Sequence, residues 1–346
     1  MIRVGIVGSN FGRTVLLPAF RADPRCEVTA LAGRDAQKAA DHAREAKIAR
    51  TFKTWAELVE DDAIDAVAIA TPPALQPDIA IQALAHGKAV FLEKPMAATI
   101  AQADALLEQA RQSKRPVMID FEFPELPAWQ HAKALMDKNA IGKLRHVVVT
   151  WQVENHATRM RLKSWKTNGD DGGGVLGNFV SHCFHYLEQF GGPITNLYAQ
   201  LSGLPGEKKP SESIVALSGQ FASGAALNLS MSAASYLGSG HRVEFYGEDG
   251  TLMLINTTAD YMRGFELFYA HRPAEKLARI DVKAPDDSHF PDGRIAPISR
   301  LATRFFDAIE KGGVVTPGIR EGHRVQQLIE FARLSHDVSE SVTVET

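Results

Sequence analysis

The 346-residue sequence predicts an α/β protein in two parts. Residues 1–120 read as a doubly wound parallel sheet. Residues 121–346 read as an α+β domain with a large, mostly antiparallel, open-faced sheet. Three observations support this. Short apolar runs alternate with helix-like segments through the first 120 residues, as in repeated βα units. Beyond residue 120 the texture changes to strand-like runs separated by Gly, Pro, Asn and Ser, several alternating apolar with polar. A glycine-bearing turn ends the first apolar run, at the edge where doubly wound sheets hold ligands.

Taken in order, Ile2 to Val7 is a β-rich run and Arg13 to Ala22 is helical. Glu27 to Ala32 is a strand, Ala36 to Ala46 an alanine-rich helix, and Ala63 to Ala70 a buried strand. Pro77 to His86 (helix), Ala89 to Leu92 (strand), Ile100 to Ser113 (helix) and Pro116 to Phe121 (strand) complete the first part. In the second, a helix spans Ala128 to Asn139. Strands follow at Leu144 to Val153, Asn196 to Leu201, Ser213 to Phe221, Ala225 to Ser232, Arg242 to Tyr246 and Thr251 to Ile255. Gly203 to Ser213 and Pro285 to Ile295 are polar loops. Helices at Pro297 to Lys311 and Glu321 to Val338 close the chain, with the option of packing back toward the first domain.

Composition narrows the function classes. With 45% hydrophobic, 23% charged and 8% aromatic residues, the chain is neither disordered nor fibrous. Its 38 basic and 41 acidic residues give a net charge of −3 and are spread out, so no nucleic-acid partner is expected. No apolar run reaches the roughly 18 residues of a membrane span, and no secretory leader pattern opens the sequence. Two cysteines, Cys26 and Cys183, make no disulfide framework. A cytoplasmic location is the expectation.

The first βα turn reads Gly8-Ser9-Asn10-Phe11-Gly12-Arg13. Glycines here let the backbone approach a pyrophosphate, and a helix start offers unpaired amides. The usual spacing is G-x-G-x-x-G. Gly8 fits its first position, Asn10 stands at the second, and Gly12 comes one residue early. Asn10 is expected to tolerate a positive φ; the alternative is a tight turn without a ligand. The second strand ends at Gly33-Arg34-Asp35, where NAD sites commonly place an acid. A small residue followed by a guanidinium favours NADP(H), with NAD possible if Asp35 holds the ribose and Arg34 is merely solvated. Arg13 is a second phosphate contact or a surface residue.

Two further segments carry chemistry. Thr71-Pro72-Pro73 and Glu93-Lys94-Pro95 each follow a strand, at the ligand edge. A lysine facing a nicotinamide can have its pKa lowered into a useful range. In the second domain, Gly172-Gly173-Gly174 precedes a helix carrying Asn178, His182 and His185, spaced to share one face. Core histidines are the plain alternative. Cys183 projects away from His182, so no metal site is expected. Trp165 and Arg161 belong to an aromatic and basic stretch suited to covering a sugar, or simply to a solvated loop.

Together these pieces resemble the Gfo/Idh/MocA family of NAD(P)-dependent oxidoreductases. The resemblance rests on the glycine turn, Thr71-Pro72-Pro73, Glu93-Lys94-Pro95, Ala140-Ile141-Gly142 and the Gly172–His185 segment. It implies a Rossmann domain carrying the cofactor, a substrate site between the domains, and a homodimer or homotetramer formed through the second sheet. By position it places the family's lysine on Lys94 and its histidine on His182, whose imidazole (unperturbed pKa about 6.5) can exchange a proton near neutrality. It departs at Asn178, where many members carry Asp, at His185, where a final Asp is frequent, and at Gln76, where a His is common. Proton transfer would then rest on Lys94 and His182, with His185 or Tyr186 nearby. The implied cofactor residues are Gly8, Ser9, Asn10, Phe11, Gly12, Arg13, Arg34, Thr71, Pro72, Glu93 and Lys94. The implied reaction is hydride transfer with a hydroxyl or keto carbon of a sugar, polyol or sugar-nucleotide. The competing readings are a non-catalytic NADP(H)-binding sensor and a partner-binding protein that has lost the nucleotide.

Overall fold

The computed structural model describes residues 1–160, 162, 164–203, 211–283 and 285–345. Its chain divides into two compact units, residues 1–122 with 287–326 and residues 123–286 with 327–346. In the first unit six parallel strands lie in the order β3-β2-β1-β4-β5-β6. They are β1 (Ile2–Val7), β2 (Cys26–Ala32), β3 (Arg50–Phe52), β4 (Ala66–Ile69), β5 (Ala89–Leu92) and β6 (Val117–Ile119). Between them run α1 (Leu17–Arg21), α2 (Ala36–Glu45), α3 (Trp55–Glu60), α4 (Gln76–Ala85) and α5 (Ile100–Ser113). Strands β4 and β5 are buried at every position, the mark of a parallel sheet covered on both faces. Strand order reverses direction at β1, creating the crevice at the carboxyl ends of β1 and β4.

The second unit opens with α6 (Pro127–Asp137), β7 (Leu144–Gln152), α7 (His156–Arg159) and α8 (Ser181–Gly191). Then come β8 (Ile194–Ser202), β9 (Ile214–Phe221), β10 (Ala226–Ser232), β11 (Gly240–Gly247), β12 (Gly250–Asn256), β13 (Glu266–His271) and β14 (Ala278–Ile280). With β15 (Val342–Thr343) these make a nine-stranded sheet ordered β14-β13-β12-β11-β7-β10-β9-β8-β15. Among the described residues of this sheet, only β10 and β7 pair in parallel. Alternation is plain along β9 and β10: Val215, Leu217, Leu227 and Leu229 are buried, and Ala216, Ser218, Asn228 and Ser230 are exposed.

The last helices are α9 (Ile295–Lys311) and α10 (Ile319–Val338). Helix α9 and the loop before it belong to the first unit, so one cut at residue 120 does not divide this chain. The cause is its apolar stripe. Ile298, Leu301, Ala302, Phe305 and Phe306 are fully buried in the same core as Val4, Ile6, Phe20 and Phe91. Edge-on ring contacts join Phe20 to Phe91 (5.0 Å), Phe20 to Phe306 (5.6 Å) and Phe91 to Phe305 (5.8 Å). Each such ring contributes about 1.5–3 kcal/mol of burial. Helix α10 supplies residues to both units.

The sequence reading missed β3 and α3, whose residues lack a clear period, and also β13 and the short edge strands β14 and β15. The first helix also differs from a plain α-helix, because residues 12–16 form a π-type turn before α1. Among the described residues no helix is long and apolar enough to cross a membrane.

Candidate active site

The turn after β1 is built on two glycines. Gly8 has φ +113°, and a Cβ there would stand 2.3 Å from the Ala70 carbonyl oxygen. A Cβ on Gly12 would meet Ile6 Cγ2 at 2.5 Å. Only glycine lets this turn lie flat against the end of β4. Asn10 does not adopt the expected positive φ; instead its carbonyl accepts from the amides of Arg13 (3.1 Å) and Thr14 (3.0 Å). Gly8 N donates to Ala32 O (2.9 Å) and Ala70 N to Val7 O (2.8 Å), tying the turn to both neighbouring strands. The amides of residues 9–11 meet no backbone carbonyl among the described residues.

Thr71 Oγ1, just beyond β4, is buried and has no hydrogen-bond partner among the described residues. An orphaned hydroxyl beside a flattened glycine turn at a switch point suits a dinucleotide. Gly33 presses on Ser9, where a Cβ would come within 3.1 Å of the hydroxyl. Arg34 is exposed, and Asp35 caps α2 by accepting from Lys38 N (3.0 Å). Arg13 pairs with Glu45 at 3.6 Å.

Next along the same edge, Ile69, Leu92 and Ile119 lie in register on β4, β5 and β6. The ladder continues one residue further, with Glu93 N donating to Ile69 O (3.0 Å) and Asp120 N to Leu92 O (2.9 Å). Glu93 and Asp120 therefore leave the sheet side by side, and their carboxyl groups are hydrogen-bonded to each other. Lys94 follows, in a turn that the wholly buried Gln76 pins from behind. Its carboxamide donates to Glu93 O (3.0 Å) and Pro95 O (2.7 Å).

This lysine sits in a crowd of charge: Glu93, Glu122, Asp120 and Arg294 all act on it. Burial lowers its pKa, and the three acids partly oppose that. Asp120, 1% exposed, is pushed well up by burial and by its acidic neighbours. Glu122, 5% exposed, is pushed up to about 7 by burial, with the Lys94 cation pulling the other way. Arg294 pairs with Asp292 (2.6 Å) and lies over the Phe11 ring at 5.0 Å, so it links this cluster to the glycine turn.

In the second unit, Gly172 (φ +78°) and Gly174 (φ +92°) bring the chain into a π-type turn over residues 176–180, ahead of α8. Such turns recur at functional sites. A Cβ on Gly174 would stand 2.2 Å from the Glu212 carboxylate, which accepts from Leu176 N (3.1 Å). Asn178, half-buried, lies in the π-type turn, and His182 follows four residues later in the first turn of α8. His182 is buried with its ring edge-on to Phe123 (5.0 Å). Burial lowers the His185 pKa to about 3 and pushes Tyr186 far up. Neither titrates near neutrality, which removes both from the expected proton transfer. Trp165 is half-buried with the Lys166 ammonium 5.8 Å from its ring centre; Arg161 lies outside the described residues.

The first unit thus gathers Gly8, Ser9, Asn10, Phe11, Gly12, Thr71, Pro72, Glu93 and Lys94 along one sheet edge. Sequence reasoning missed Gln76 as the brace of the Lys94 turn, and Asp120, Glu122, Arg294 and Glu212. Asp120 and Glu122 did leave a signal: two acids alternating with Phe121 and Phe123 in an otherwise apolar run.

Comparison with known proteins agrees with this architecture. Residues 2–121 match the family model described as oxidoreductase family, NAD-binding Rossmann fold, and residues 129–253 match the GFO/IDH/MocA C-terminal domain. An uncharacterized oxidoreductase of Synechocystis sp. is 32% identical over 99% of this chain and 96% of its own. Levoglucosan dehydrogenase of Pseudarthrobacter phenanthrenivorans is 24% identical over 98% of this chain and 97% of its own. A solved levoglucosan dehydrogenase in complex with NADH and levoglucosan superposes with a TM-score of 0.90 at 23% identity, covering all of both chains. The D-xylose 1-dehydrogenase [NADP(+)] of Haloarcula marismortui is 34% identical over 41% of each chain. With both of its domains matched in the expected order, the chain belongs to the GFO/IDH/MocA family of NAD(P)-dependent oxidoreductases.

Proposed function

We propose that the protein is a dehydrogenase acting on a CH–OH group of a carbohydrate-like substrate, a sugar, polyol or sugar-nucleotide. The observation that carries this reading is Lys94, held below the ordinary lysine pKa on the same sheet edge as the glycine turn and Thr71. The named sugar dehydrogenases among the relatives support the substrate class. The turn at residues 8–12, Thr71 and Pro72 would hold the dinucleotide, which when bound supplies the hydride acceptor or donor. Lys94 Nζ takes the hydroxyl proton during oxidation and hydrogen-bonds the forming carbonyl oxygen. His182 exchanges a proton with substrate, and Asn178 orients a neighbouring hydroxyl, donating and accepting. His185, Trp165 and Arg161 complete the proposed substrate set.

For the cofactor we favour NADP(H). No side chain stands at Gly33, Arg34 is exposed, and one Asp35 oxygen is committed to capping α2. Fluorescence titration should show NADPH binding more tightly than NADH, with the preference lost in Arg34→Ala; tighter NADH binding in the parent overturns it. The functional reading is tested by a panel of sugars, inositols, their keto forms and nucleotide-sugars, followed by nicotinamide absorbance. Lys94→Ala should cut turnover about 10²-fold or more, and an unchanged kcat/KM would remove Lys94 from the chemistry. Asn178, which cannot take a proton, favours a second reading as a nucleotide-binding sensor; binding without turnover across the panel would establish it. Assembly into a homodimer or homotetramer through the exposed face of β9 and β10, in the cytoplasm, is part of the same proposal and is read by light scattering.

A further inference from the structure

Three carboxyl groups act on Lys94 through their charge, where the reaction needs only the lysine. Glu93 and Asp120 come from adjacent strands one residue past the register Leu92↔Ile119, and Glu122 follows on the same arm. Asp120 and Glu122 are almost wholly buried. On the cationic side stand Lys94 and Arg294, and Arg294 is already paired with Asp292 at 2.6 Å. That pair is part-exposed and balances itself, so full ionisation would leave three negative charges, on Glu93, Asp120 and Glu122, against the one positive charge of Lys94. Burying unbalanced charge costs more than holding a proton, so the cluster retains protons. One is taken by the hydrogen-bonded Glu93–Asp120 pair, which acts as a unit. Glu122 is the remaining acid, and Lys94 is the cation that acts on it most strongly.

We propose that Glu122 is the positioning residue behind Lys94, exchanging a proton with it and serving as its proton store. This rests on the reading of Lys94 as the group that meets the substrate hydroxyl. During oxidation the hydroxyl O–H bond breaks and its proton goes to Nζ of the uncharged form of Lys94, which burial favours. The C–H hydrogen leaves with its electron pair to the nicotinamide. Lys94 then passes the proton to the Glu122 carboxylate, and solvent later receives it. Reduction runs the same path backwards.

The sign follows from the store. As pH falls through about 7, Glu122 fills and oxidation slows; as pH rises through about 7, it empties and reduction slows. In Glu122→Gln, kcat should fall about 10- to 100-fold with KM little changed, and the inflection near neutrality should vanish. Glu122→Asp should restore most of the profile. A purely structural role would not move the inflection.

The free protein gives a second readout. Infrared titration of the parent should show a protonated-carboxyl signal with a midpoint of about 7, absent in Glu122→Gln. In Lys94→Met, which keeps Glu122 and serves even if Glu122→Gln fails to fold, loss of the cation should move that midpoint upward. A midpoint that stays put in Lys94→Met, or a signal that persists in Glu122→Gln, overturns the proposal. Intact coupling in a protein that turns over nothing would remove the dehydrogenase reading while supporting the shared proton.

Discussion

The two units bury their ionisable groups in opposite ways. At the strand ends of the first unit, acids and bases crowd together, and the folded state holds protons it would lose in solution, on Asp120 and Glu122. Around α8 in the second unit, two buried imidazoles refuse protons. His185 and His241 are both lowered to about 3 by burial. His241 instead stacks on Trp151 (ring centres 4.0 Å apart, planes 4° from parallel) amid Phe123, Trp129 and Phe265. A charged cluster keeps groups that titrate near neutrality; an aromatic one silences them. That contrast explains why Lys94 and Glu122 are suited to moving protons while His185 and Tyr186 are not.

The contrast predicts opposite pH slopes of stability. A histidine whose folded pKa lies below its unfolded value contributes fully above about pH 6.5, and that contribution is lost as pH falls. Each pH unit below 6.5 costs about 1.4 kcal/mol per histidine. By pH 5 the second unit should therefore have lost about 4 kcal/mol through His185 and His241 together. Glu122 works the other way: its folded pKa is raised, so the first unit gains stability as pH drops from about 7 toward the ordinary carboxylate range. Hydrogen exchange resolved by segment at pH 7 and pH 5 should show α8 and β11 losing protection while β5 and β6 do not. Equal losses in both would break the contrast.

How much of this was written in the sequence varies with the physics behind each feature. The β1 turn and the Lys94 turn were legible because glycine and proline have few other reasons to stand at strand ends. The core contribution of α9 was legible only as a period, since which sheet an apolar stripe covers depends on distant packing. Gln76 reads as a neutral departure from the family's His, yet its carboxamide is the brace that holds both carbonyls flanking Lys94. Glu212 was invisible, because thirty-odd residues separate it from the glycine turn it supports. The π-type turn that carries Asn178 was not legible either, because no residue pattern announced it. Local backbone demands are printed in residue type; long-range pairings of buried polar groups are not.

The smallest effect is also the sharpest probe of the aromatic side. Tyr186 Oη lies 3.0 Å from Cys183 Sγ and 3.0 Å from His241 Nε2, and one hydroxyl has one proton to give. His241 Nδ1 has no hydrogen-bond partner among the described residues. A buried orphan N–H is rarer than a bare lone pair, so the proton belongs on Nε2. The chain then runs from His241 Nε2–H to Tyr186 Oη, and from Tyr186 O–H to Cys183 Sγ. His241→Phe keeps a ring against Trp151 and deletes only the first of these bonds. At neutral pH it should cost about 1 kcal/mol, the worth of one such bond. It also removes a group that opposes folding in acid, a loss to the parent of about 2 kcal/mol at pH 5. Denaturant curves of parent and variant should therefore cross near pH 6, with the variant more stable below. If the variant stays less stable down to pH 5, His241 is not held neutral by its surroundings, and the aromatic cluster does not exclude protons as described.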